Sequence, residues 1–141
     1  MAERPRAVVD AAQTFTLFVR GKPQPQGSKR HVGGGVMIEA VRGLAAWRID
    51  VRDALNEAWH EEPRDGAVMV NLAFLFLRPK SVSEKKRPHM TVKPDTDKLA
   101  RAVLDAMTSV VIRDDAQVVT LAASKMYGPE TGVAISVEWL R

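Results

Sequence analysis

The chain has 141 residues, 45% of them hydrophobic and 27% charged, with a net charge of +4 and no cysteine. That length and balance fit one folded domain with a real core, and they exclude a disordered chain, disulfide staples and thiolate zinc sites. The positive balance favours an anionic partner such as nucleic acid or a phosphorylated ligand, while the lack of a membrane-length apolar run or a signal-peptide core places the chain in the cytoplasm.

Residues 1–12 read as a loose, charged arm, and residues 13–141 as the folded domain. In residues 14–20, Phe15, Leu17 and Val19 alternate with Thr14, Thr16 and Phe18, the pattern of a first strand. The stretch Gly21-Lys22-Pro23-Gln24-Pro25-Gln26-Gly27-Ser28-Lys29-Arg30 follows. Its prolines and glycines forbid a regular helix, so it is a loop. Lys22, Lys29 and Arg30 make that loop basic, either as an ordinary solvated connection or as a phosphate-contacting arm. Gly33-Gly34-Gly35 marks a mobile tip or a tight hairpin. It lacks the strand-to-helix setting and the following Lys-Ser or Lys-Thr of a phosphate-cradling loop.

Residues 39–60 are expected to form a long helix with Val41, Leu44, Ala45, Ile49, Ala54, Leu55 and Ala58 as its apolar stripe, and with Trp47 and Trp59 packing at the margins. Residues 67–77 are almost all apolar, which predicts a central strand covered on both faces. Residues 78–92 then carry Arg78, Lys80, Lys85, Lys86 and Arg87 against the single acid Glu84. This loop leads straight into Lys93-Pro94-Asp95-Thr96-Asp97-Lys98-Leu99. Leu99, Ala102, Val103, Ala106 and Met107 fall on one face of a second helix over residues 96–107. A strand over 114–127, a turn at 128–132 and a last strand over 133–140 complete the order β-α-β-α-β-β. The fold class is α+β, a single mixed β-sheet flanked by two main helices. His31, His60 and His89 lack a paired metal spacing and read as surface residues.

The chemistry concentrates in the aspartates. Asp95 and Asp97 sit where a helix begins, and capping explains either of them locally. Asp114-Asp115 alone is a turn signal. Brought to one place, however, such acids repel: two charges 4 Å apart cost about 4 kcal/mol at an effective dielectric of 20. That cluster would need a cation or a bound proton. An oxygen-only donor set selects Mg²⁺, with Mn²⁺ able to substitute. In a regular strand only one of Asp114 and Asp115 can face the other pair; Asp115 is the expected ligand and Asp114 a turn residue. Lys98 or Arg101 could offset charge on a reacting phosphate. Arg101 also lies four residues from both Asp97 and Asp105, so helix ion pairs account for it equally well.

Three segments, Lys93 to Leu99, Ala102-Val103-Leu104-Asp105-Ala106 and Asp114-Asp115-Ala116-Gln117-Val118, together resemble the RusA family of Holliday junction resolvases, often carried by phages and prophages. The Gly21 to Gly27 loop after a first strand and Lys125-Met126-Tyr127-Gly128 are similar to that family too. The resemblance implies a homodimeric, Mg²⁺-dependent endonuclease that places paired nicks across a four-way DNA junction during recombination or repair. It implies Asp95, Asp97 and Asp115 as metal-holding acids. The family usually has Asn where Lys98 stands and an essential Lys where Arg101 stands; Arg keeps the charge but cannot act as a general base or acid. With Arg101 as catalytic cation, the expected DNA contacts are Lys22, Lys29, Arg30, Lys80, Lys85, Lys86, Arg87, Lys93 and Lys98. Competing with this are an idle nucleic-acid-binding module, whose acids only cap and turn, and a metal-dependent phosphohydrolase of small molecules. The basic loop favours a polymeric substrate.

Overall fold

The structure, a computed structural model, describes the backbone of residues 7–9, 13–27, 29–31, 37–39 and 43–140, and the side chains of 13–27 and 43–140. The elements in chain order are β1 (Ala7–Val9), β2 (Thr14–Arg20), β3 (Lys29–His31), β4 (Met37–Glu39), α1 (Leu44–Ala58), β5 (Val68–Phe76), α2 (Thr96–Met107), a 3₁₀ turn (Asp115–Gln117), β6 (Val118–Tyr127) and β7 (Gly132–Trp139). The main sheet has the order β1-β2-β7-β5-β6, and β3 and β4 form a separate two-stranded ribbon. β5 and β6 are parallel; the other pairs in the sheet are antiparallel. The expected β-α-β-α-β-β order is therefore present, with three short strands added.

Those additions correct two boundaries. Ala7–Val9 lies inside the stretch read as a loose arm, yet it pairs with Phe15 to Leu17 of β2. The long helix begins at Leu44, not at residue 39, because Met37–Glu39 is the second strand of the ribbon. The Gly33-Gly34-Gly35 tip lies outside the described residues.

One face of the sheet carries both helices. Val68, Val70, Leu72, Phe74 and Phe76 of β5 are buried beneath them with Leu99, Val103 and Met107 of α2. Every residue of the predicted α2 stripe is buried. In α1 the face is rotated: Leu44, Trp47, Val51 and Leu55 are buried, whereas Ile49 is 58% exposed. Trp47 and Val51 continue the i, i+3, i+7 run from Leu44 and so claim the inner stripe. Trp59 stacks on Trp139 with ring centroids 5.4 Å apart and meets Phe15 edge-on at 5.3 Å, so the helix tryptophans are core residues. Gly21 has φ +141°, and a Cβ there would lie 2.8 Å from the Trp47 ring; only glycine lets the chain turn this close to α1.

Among the described residues, the central strand is covered on one face, not two. Met69, Ala73 and Leu75 are half-buried and Asn71 is exposed, and with Thr16, Phe18, Ala134 and Ser136 the open face forms a shallow hollow of about 310 Å³. The apolar run misled because the open-face positions of β5 are also apolar, although no helix among the described residues packs on them.

Candidate nucleic-acid interface and acidic clusters

α2 returns along the sheet from the C-terminal end of β5 to its N-terminal end, about 18 Å for 12 residues at 1.5 Å each. This run separates two groups of acids. At the near end, Asp95 is the N-cap of α2 by backbone conformation (φ −72°, ψ 138°), but its side chain makes no capping hydrogen bond. Its Oδ2 faces Lys98 Nζ at 3.5 Å instead. Asp97 sits exposed in the first turn. The preceding loop is fixed by Lys125 of β6, whose Nζ donates to Val92 O at 2.6 Å and Pro94 O at 2.8 Å.

Asp95 and Lys98 line a cavity of about 650 Å³ together with Lys22, Gln24, Lys93 and, on its apolar side, Phe76, Met90 and Tyr127. The loop carrying Lys22 reaches this place because Gln26 ties it to both helices. Gln26 N donates to Lys98 O at 2.9 Å, Gln26 Nε2 donates to Asp105 Oδ2 at 2.6 Å, and Arg48 Nη1 donates to Gln26 Oε1 at 2.7 Å. The proline-glutamine loop is thus a strap across α1 and α2 that delivers a lysine to the mouth of the cavity. Its other basic residues, Lys29 and Arg30, have side chains outside the described residues.

At the far end, Asp114 and Asp115 enter a 3₁₀ turn, not a strand, so the alternating-face argument for choosing between them does not apply. Asp114 Oδ1 accepts from Ala116 N at 2.9 Å, and Gln117 Oε1 accepts from Asp114 N at 3.1 Å, a reciprocal cap. Gln117 Nε2 then donates to Arg64 O at 2.9 Å and Gly66 O at 2.7 Å, locking the turn to the loop before β5. The hydrogen bond from Ala116 N, seconded by one from Asp115, holds the Asp114 carboxyl below the usual range. The Asp115 carboxyl is pushed up by desolvation, then by the hydrogen bond and charge of Asp114 and by the charge of Asp105. The acid that Asp115 senses on α2 is therefore Asp105, near the helix's end.

Among the described residues no three Asp, Glu or His side chains come together as a metal-holding group. Asp95 and Asp97 share the start of α2; Asp115 is grouped with Asp114 and Asp105 toward its other end. Arg101 is exposed and makes neither of its two expected ion pairs: Asp105 bonds Gln26, and the salt bridges among the described residues are Arg20–Glu130, Arg64–Glu61, Lys98–Asp95 and Arg113–Asp65.

The basic loop is partly structural. Arg87 Nη1 donates to Tyr127 Oη at 3.0 Å, and the Arg78 guanidinium lies 4.3 Å from the centre of the Tyr127 ring. Lys80, Lys85, Lys86 and Lys93 remain exposed around the same end of the sheet. Sequence reasoning did not single out Gln26, Gln117 and Lys125 as the residues that position these parts. The Asp114-to-Gln117 spacing is a local capping pattern, but the bonds of Gln117 to Arg64 O and Gly66 O, like those of Gln26 and Lys125, reach groups distant in sequence, which no local pattern announces.

The sequence profile of the family described as "Endodeoxyribonuclease RusA" matches residues 20–138. The chain is also 33% identical over 81 residues to the "Uncharacterized protein YqaN" of Bacillus subtilis (strain 168); the match covers 51% of this chain and 57% of that protein. No helix among the described residues is long and apolar enough to cross a membrane.

Proposed function

Because the chain belongs to the RusA family of endodeoxyribonucleases, we propose that it works as a homodimer, nicks four-way DNA junctions in pairs and depends on Mg²⁺. The observation that carries the reading is the Asp95 carboxylate. It occupies an N-cap position without capping, and it opens beside Lys22, Lys93 and Lys98 on one cavity. A helix start whose acid is withheld from its local task and ringed by cations is arranged for a charged ligand.

One copy alone does not fit the metal. Asp95 and Asp97 supply two carboxylates at one end of α2 and Asp115 a third toward the other, so the three-acid site requires a second copy. A two-fold axis sets the Asp115 of one chain against the Asp95 and Asp97 of the other, twice per dimer. Desolvation first, then the hydrogen bond and charge of Asp114 and the charge of Asp105, disfavour the ionised Asp115 carboxyl, and a bound cation would offset that cost. Within one chain, Lys22, Lys93 and Lys98 neutralise phosphates at the cavity mouth, and Lys80, Lys85 and Lys86 extend the positive surface along the DNA. Arg101 presents a permanent charge free of ion pairs among the described residues, suited to offsetting phosphate charge but not to moving a proton.

A second reading rests on Asp114, whose cap and turn are those of a purely structural acid. An idle DNA-binding module would have all its acids in such roles. Incubation with a synthetic four-way junction, with and without Mg²⁺, beside linear duplex of the same sequence, separates the two. Metal-dependent paired nicks in the junction alone support the resolvase. Binding without nicking at any metal concentration leaves the module.

A further inference from the structure

From the cavity beside Asp95 we infer a base pocket: at the branch point one nucleobase leaves its stack and lies on the cavity's apolar wall, while the phosphate next to it sits on the lysines. This rests on the junction reading above and names the part of the DNA that the site takes.

The lining divides by chemistry. Lys22, Lys93 and Lys98 stand against a single acid, Asp95, among the lining residues. Most of the remaining wall is apolar, including Phe76, Leu77, Met90, Val92, Tyr127 and Pro23 of the strap. Leu77 is 58% exposed and Val92 39%, so part of this wall stands in water in the free chain. Phosphates need the lysines alone and give an apolar wall nothing to bind. The broad apolar surface of DNA lies on the faces of its bases, and in a stacked duplex those faces are covered. DNA fills such a wall only when a base comes out of the stack. The cavity, about 650 Å³, falls among pockets of about 300–1,000 Å³ that take a small ligand whole.

The wall is fixed before DNA arrives. Gln26 N donates to Lys98 O at 2.9 Å and ties the strap to α2. Lys125 Nζ holds the loop of Val92 and Pro94 through their carbonyls, at 2.6 Å and 2.8 Å. Arg87 Nη1 donates to Tyr127 Oη at 3.0 Å, and the Arg78 guanidinium lies 4.3 Å from the centre of that ring. A base entering the cavity meets side chains that need little further ordering, and an aromatic ring offers it a stacking platform. Extraction also favours branched DNA. A base inside a linear duplex must give up its partner and both stacked neighbours, whereas one flanking a crossover has a weaker stack to leave. The pocket thus selects the branch point through the cost of extraction.

The test is a synthetic four-way junction carrying 5-iododeoxyuridine at each nucleotide flanking the crossover in turn, bound to the full chain in EDTA and irradiated. The iodinated base should cross-link to Met90 or Tyr127 from the junction, and not from the same nucleotide in linear duplex. Leu77→Trp and Val92→Trp fill the cavity from exposed positions, so both should melt as the wild type does. Each should remove that cross-link and weaken junction binding about ten-fold, the worth of one stacked base. Duplex affinity and the salt dependence of junction binding should stay unchanged, because the lysines remain. Ile49→Trp, exposed on α1, should alter none of these. The inference is overturned by a chain that does not bind the junction, by cross-links that miss Met90 and Tyr127 at every position, by equal cross-linking from duplex, or by filled variants that bind the junction like wild type. Nicking in Mg²⁺, measured separately, keeps the two readings apart. A junction that is nicked without the cross-link removes the pocket and keeps the nuclease. A junction that is cross-linked and never nicked removes the nuclease and keeps the pocket.

Discussion

At the scale of single residues, the use of the carboxylate separates Asp95 from Asp114, although each precedes a helical turn, α2 for the one and the 3₁₀ turn for the other. Asp114 spends its carboxylate on Ala116 N; Asp95 leaves its own beside Lys98. Replacing Asp95 or Asp97 by Asn should lower junction nicking by about 10²-fold or more, with gel-shift affinity for the junction largely retained. Loss of folding in both variants would instead return these acids to a structural role. Asp115 carries a cost in the free chain, because desolvation, Asp114 and Asp105 all favour its neutral form. The raised folded-state value means that this cost is present at neutral pH and fades as pH falls through the carboxyl range. In EDTA, Asp115→Asn should therefore raise the unfolding free energy slightly at pH 7, by no more than about 0.5 kcal/mol for so exposed a group. The gain should vanish near pH 3. An equal gain at both pH values would show that charge is not its source.

At the scale of elements, three side chains do the positioning. Gln26 straps the basic loop onto both helices, Gln117 locks the Asp115 turn, and Lys125 holds the loop before α2. Lys125→Met should cost about 1 kcal/mol in denaturant unfolding and should depress nicking more than binding, since it frees the segment that carries Asp95. Nicking at the wild-type rate would remove Lys125 from the positioning set. The basic loop acts through the ion atmosphere of DNA. Lys85→Glu with Lys86→Glu should weaken junction binding and flatten the plot of log affinity against log salt by about 0.9 per lost phosphate contact. An unchanged slope would take that loop out of the footprint. The helix itself is less negotiable: Leu99→Ala should cost about 2–5 kcal/mol, because Leu99 is fully buried under the sheet.

At the scale of the whole molecule, the distance between the acid groups decides the chemistry. Composite sites predict complementation. Asp95→Asn chains and Asp115→Asn chains, each inactive alone, should regain single-strand nicking when mixed and allowed to exchange. Half of their shared sites would then have both wild-type contributions. No recovery after verified subunit exchange would place all three acids of a working site in one chain.

The α2 face, the central strand, the acids at the helix start and membership of a nuclease family were all legible in the order of residues. Each depends on local periodicity or on short motifs that survive without coordinates. The rotated face of α1 was not legible, because alanines and tryptophans on two sides of that helix compete for one inner stripe. The single covered face of β5 was hidden by apolar residues on both its sides. The gap between Asp95 and Asp115 was invisible as well, since sequence spacing counts residues and not direction. Only the return of α2 along the sheet, with β6 then running parallel to β5, sets the acids at opposite ends of one chain.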